Sequence, residues 1–96
     1  MRLSEHYRRV IRETAEKIFG PGTEVYLFGS RVDDSRRGGD IDLYIVPGER
    51  TELFEKKGRF LARLWSLLGE QKIDVVIAKD PERPIEKIAR REGIRL

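Results

Sequence analysis

Three aspartates stand in runs that are otherwise strand-like and apolar: Asp40 and Asp42 in "DIDLYIV", and Asp74 in "KIDVVIA". Alternate residues of a strand share a face. Asp40 and Asp42 therefore point the same way, with Tyr44 and Val46, while Ile41, Leu43 and Ile45 point the other way. Like charges so placed repel, and burying an unpaired carboxylate is costly. Taken alone, Asp74 reads as a sheet-end residue facing water. As a third acid on a neighbouring strand, it adds to the repulsion. The simplest remedy is a divalent cation, because hard oxygen ligands completed by water and phosphate oxygens are how Mg²⁺ is held.

The residues ahead of the acids point to the same chemistry. "EVYLF" runs directly into Gly29-Ser30. A glycine there lets a ligand approach the backbone, and a serine can cap the next helix or offer its hydroxyl to a phosphate. N–H groups at a helix start face an anion, and Arg31, Arg36 and Arg37 add positive charge nearby. A lone Gly-Ser would be an ordinary strand-to-helix turn. Gly-Ser followed by Asp-Ile-Asp-Leu on one strand and a third Asp on another is a far more specific combination.

These groups must be positioned by the elements around them. Leu3, Tyr7, Val10, Ile11 and Ile18 recur at helical spacing, so Ser4 to Phe19 reads as an amphipathic helix ended by "GPG". "EVYLF" is a strand, apolar on both faces and so expected inside a covered sheet. After the polar loop and the "DIDLYIV" strand, "PGER" turns the chain. Leu53, Phe60, Leu61, Leu64 and Leu68 mark a second long helix. Lys57 lies within that arc and Gly58 follows it, which sets the first turns apart from the rest. "KIDVVIA" is a third strand, and Ile85 to Arg91 a last short helix. The order helix, strand, loop, strand, helix, strand, helix predicts an α/β fold with a sheet of about three core strands packed by helices.

The 96 residues fit one small domain, 1–96, whose modest core calls for a compact fold or a partner. Net charge is +3, but Lys and Arg alternate with Glu and Asp along most of the chain. That is the pattern of a mixed solvated surface rather than a phosphate-tracking stripe. The absence of Cys excludes a disulfide scaffold and a thiolate metal site. "MRLSEHYRRVIRETAEK" is too charged for a signal peptide, and no window is apolar enough to span a membrane, so the cytoplasm is the expected location.

"FGSRVDDSRRGGDIDL" resembles the signature of the nucleotidyltransferase superfamily that includes DNA polymerase β: an apolar residue, Gly-Ser, a spacer, then Asp-apolar-Asp-apolar. The short chain is similar to the minimal nucleotidyltransferases, the MNT antitoxins of prokaryotes. The resemblance runs from the first helix through "KIDVVIA". It implies a small mixed sheet, with Asp40, Asp42 and Asp74 as metal-binding and catalytic acids and Gly29, Ser30 and Arg31 as the nucleotide-binding residues. "RVDD" departs from the Arg-Ala-Arg-Gly often found after Gly-Ser, although Arg31 is retained. The implied enzyme uses ATP with two Mg²⁺ ions, and transfers AMP to a HEPN-domain ribonuclease toxin. The implied assembly is a hetero-complex or homodimer, with no membrane and no nucleic acid. Two other readings stand beside it: a non-catalytic antitoxin acting by stoichiometric binding, and nucleotidyl transfer to RNA. The second is disfavoured by the lack of an aromatic stacking platform.

Other residues have plainer expectations. His6, the only histidine, falls on a charged helix face and reads as solvated. Trp65 and Phe54 fall at the edge of the second helix's apolar arc, where they read as core or as a docking patch, with Trp65 leaning to core. Lys57 reads as a snorkelling side chain, or less simply as one reaching toward phosphate. Arg36-Arg37 reads as a solvated loop or a phosphate gate. "IARREGIRL" reads as a solvated helix whose tail is packed by Ile94 and Leu96, or as a contact for a partner.

Overall fold

In the computed structural model, which describes residues 3–32 and 40–96, helix α1 (Glu5–Phe19) begins at Ser4, whose hydroxyl accepts the Tyr7 N–H at 3.1 Å. This satisfies one of the N–H groups a helix start leaves open. The helix stops at Gly20, whose φ of +99° is one that residues with a side chain rarely adopt. Strand β1 (Glu24–Phe28) leads into a short 3-10 turn, Gly29–Val32. Strand β2 (Ile41–Val46), helix α2 (Leu53–Leu68), strand β3 (Ile73–Ile77), helix α3 (Pro84–Glu92) and strand β4 (Ile94–Arg95) follow.

The strands form one mixed sheet in the order β3-β2-β1-β4. β1 pairs antiparallel with β2 and β4, and β2 pairs parallel with β3, the crossover being α2. α1 and α2 cover one face. Ile11, Ala15, Phe19, Phe60 and Leu64 from the helices meet Val25, Leu27, Ile41, Leu43, Ile45, Ile73 and Val75 from the sheet. Phe19 and Phe60 meet edge to face at 5.6 Å, a favoured aromatic geometry. On the other face Ala89 of α3 packs with Phe28 and Tyr44. β1 thus has both faces covered, as its unbroken apolar run requires. Among the described residues no helix is long and apolar enough to cross a membrane.

The structure corrects several local expectations. The sheet gains β4, which pairs Ile94 with Leu27 and Arg95 with Tyr26, and Leu96 closes the core behind it. β2 begins at Ile41, so Asp40 stands just ahead of the strand rather than in it. The last helix is one residue longer at each end than the periodicity suggests. α2 runs unbroken through Gly58, and its buried lysine is Lys56, not Lys57. The buried stripe passes through Lys56, Phe60 and Leu64 at helical spacing, and the Lys56 ammonium donates to Thr51 Oγ1 at 3.1 Å. Trp65 is not core. It is 41% exposed and its indole N–H donates to the Gln71 carbonyl at 2.8 Å. Phe54 is exposed as well, and His6 is exposed as expected. Residues 33–39, which include Arg36 and Arg37, lie outside the described residues.

Candidate active site

Strand register brings the acids together. Phe28 of β1 lies opposite Asp42 of β2, and Asp42 lies beside Asp74 of β3. Cross-strand partners share a face, so this row lies on the α3 side of the sheet, where Phe28 and Tyr44 also sit. It is the first row of β2 on that face. Below it, Tyr26, Tyr44 and Val76 form the next row and close the site with apolar surface. The carboxylates therefore stand at one end of the sheet, with core beneath them and the Gly29–Val32 turn alongside.

Asp42 and Asp74 are direct cross-strand neighbours, so the charge of Asp74 bears on the Asp42 carboxyl. Asp42 is half-buried and Asp74 exposed. Burial first, then the negative charges of Asp74 and Asp40, push the Asp42 carboxyl above its ordinary value of 3.8, and Lys72 partly offsets them. Asp40 is held differently: its Oδ2 pairs with the Lys72 ammonium at 3.3 Å. Lys72 is the residue the sequence reading missed. Its signal lay in the parallel register, which sets Ile41 beside Ile73 and hence Asp40 beside Lys72, each one residue ahead of its strand.

Gly29 shows why the turn begins with glycine. Its φ is +78°, and a Cβ built there would stand 2.3 Å from Asp42 Oδ2. Any side chain would meet both a strained backbone and the carboxylate itself. Gly29 thus gives Asp42 the space it occupies. Arg31 is half-buried in the same turn. The side chain of Ser30 lies outside the described residues.

Among the described residues, no three acids or histidines stand close enough to form a ready-made metal cage. The donor set nonetheless fits Mg²⁺, which keeps several waters and is usually bound through one or two carboxylates plus substrate phosphates. Two facing carboxyl groups, one of them driven toward its protonated form by its neighbours, are what a divalent cation would relieve. The structure thus brings Asp42, Asp74 and Gly29 into one constellation and sets Asp40 at its rim.

Comparison with known families agrees with this geometry. A family model described as nucleotidyltransferase domain matches residues 8–96. No curated protein matches the chain.

Proposed function

The chain belongs to the nucleotidyltransferase domain family, and on that premise we propose that it transfers AMP from ATP, with Mg²⁺, to a hydroxyl on a protein partner. The partner we infer is a HEPN-domain ribonuclease toxin, which the modification silences. The observation that carries the catalytic part is the pairing of Asp42 with Asp74 beside a glycine that leaves room for them.

Asp40, Asp42 and Asp74 are the residues that would hold the cation. Bound Mg²⁺ supplies charge neutralisation of the triphosphate and acidifies the acceptor hydroxyl. Gly29, Ser30 and Arg31 are assigned to the β- and γ-phosphates, which leaves the α-phosphorus open to attack. The acceptor oxygen forms a bond to that phosphorus as the bond to the α–β bridging oxygen breaks, and pyrophosphate leaves with the electron pair. Asp74, the most accessible of the three acids, takes the hydroxyl proton as general base. Lys72 holds the Asp40 carboxylate at the rim. Catalysis of this kind is positioning plus charge neutralisation.

The test combines the protein with the product of its neighbouring reading frame, Mg²⁺ and ATP, and reads intact masses. The expected result is a gain of one or more AMP units on the partner. A stable complex and bound nucleotide without any mass gain would support the stoichiometric reading instead. Label appearing in RNA would replace the protein acceptor.

A further inference from the structure

β3 is an edge of the sheet among the described residues. The Lys72 carbonyl accepts the Ile41 N–H, and the Ala78 N–H donates to the Ile45 carbonyl. The even-numbered residues of this segment therefore turn their backbone groups toward β2. Backbone direction alternates along a parallel strand, so the N–H and C=O groups of Val75 and Ile77 point off the edge.

A groove runs along this edge, with Val75, Val76 and Ile77 as its floor and Phe54 of α2 as its wall. Phe54 is 91% exposed, the most exposed large apolar side chain among the described residues. Its rim carries Arg50, Lys57, Lys79 and Arg83, and no carboxylate lines it. Arg50 is anchored over the strand end by its bond to the Ala78 carbonyl, and Arg83 by Glu86 at 3.1 Å. Among the described residues, an unpaired strand edge, an aromatic wall and a rim of one charge sign come together here.

We propose that the β3 edge docks an extended acidic segment of a partner protein, which adds a strand outside β3. Main-chain hydrogen bonds to Val75 and Ile77 supply the ladder, alternate apolar side chains cover Phe54, and carboxylates meet Arg50, Lys57 and Lys79, Arg83 being already paired with Glu86. Charge decides between occupants. A second copy pairing through the same edge would set these cations against their own images. A nucleic acid would satisfy the rim but has no strand backbone to pair with the edge. Asp74 of the same strand belongs to the carboxylate row, and the docking surface runs from Val75 away from it toward Lys79.

The test titrates the ¹⁵N-labelled protein with an end-blocked seven-residue peptide of alternating Glu and Val, and with its Lys-Val counterpart. The expected result is amide shifts centred on Phe54, Lys57 and Val75–Ile77, with slowed hydrogen exchange at Val75 and Ile77. Binding should weaken as salt is raised. Affinity should fall about tenfold or more in Phe54→Ala and in Lys57→Glu/Lys79→Glu. These side chains lie outside the core, so the variants retain the fold. Absent shifts, shifts centred elsewhere, or equal binding of the Lys-Val peptide would overturn the proposal. So would preferred binding of a single-stranded RNA at the same residues, or a dimer that already occupies the edge.

Discussion

Replacing Asp42 with Asn is expected to lower nucleotidyl transfer by on the order of 10²–10³-fold while making the cation-free protein more stable. The two effects share one cause. Burial, Asp74 and Asp40 together hold the Asp42 carboxyl above its ordinary range. An acid whose pKa is raised by folding favours the native state only while protonated. Its contribution is present below 3.8 and is lost as pH rises through the folded value. At neutral pH the ionised group is a cost that Asn removes. For a partly exposed cross-strand pair that cost is about 0.5–1 kcal/mol, or a rise in Tm of about 2–8 °C. Thermal unfolding at pH 7 without divalent cation reads the stability. The same scan with Mg²⁺ and nucleotide should then raise the Tm of the native protein more than that of the variant. Retained transfer would remove Asp42 from the mechanism. A lower Tm without cation would mean that Asp42 serves the fold.

Glu86→Ala is expected to cost about 3 kcal/mol of stability, a fall in Tm of about 12–24 °C. Glu86 is 1% exposed and gathers four groups. The Tyr44 hydroxyl donates to it at 2.9 Å, the Asp80 N–H at 2.7 Å, the Lys79 N–H at 3.1 Å and Arg83 at 3.1 Å. The network ties α3, the segment after β3 and the middle of β2 into one unit, directly under the carboxylate row. Burial alone would raise this carboxyl. The Asp80 N–H, the Tyr44 hydroxyl, the Lys79 N–H and Arg83 outweigh it and hold it below its ordinary value of 4.5. A depressed acid stabilises the fold above its unfolded pKa and loses that contribution as pH falls through the folded value. Stability from Glu86 is therefore full above about pH 4.5 and declines below it. Glu86→Gln should flatten that acid limb. Denaturant unfolding of all three proteins between pH 3 and 7 checks both statements. An unchanged acid limb in Glu86→Gln would assign the loss to other carboxylates.

The acids were legible because charge inside an apolar strand is anomalous at any resolution of reading. The two-residue period of a strand was enough to put Asp40 and Asp42 on one face, whereas Asp74 comes beside Asp42 only through the register of β2 with β3. The core of β1 and the end of the first helix at Gly20 were legible for similar local reasons. Lys72 was not, because what makes it notable is the parallel register with Asp40, and register is a tertiary fact. β4 was not either, since two residues after Gly93 carry no period. Glu86 reads as one more surface acid on a charged helix. Only the folded chain shows it buried under Tyr44, although its place in the first turn after Pro84 put it near open N–H groups. Trp65 and Phe54 share the type of core residues, and their exposure follows from α2 turning its Lys56–Phe60–Leu64 stripe inward.

The claim at the centre is that the Asp40, Asp42 and Asp74 carboxylates hold a divalent cation together with a triphosphate. Mn²⁺ added with an ATP analogue whose α–β bridge resists cleavage tests it directly, because the ion broadens the ¹⁵N amide signals nearest to it. The predicted result is that the amides of Phe28, Gly29, Asp42 and Asp74 broaden first, and that Asp42→Asn abolishes this at the same ion concentration. Broadening centred on other acids, such as Glu82 or Glu92, or none at saturating nucleotide, would contradict the account.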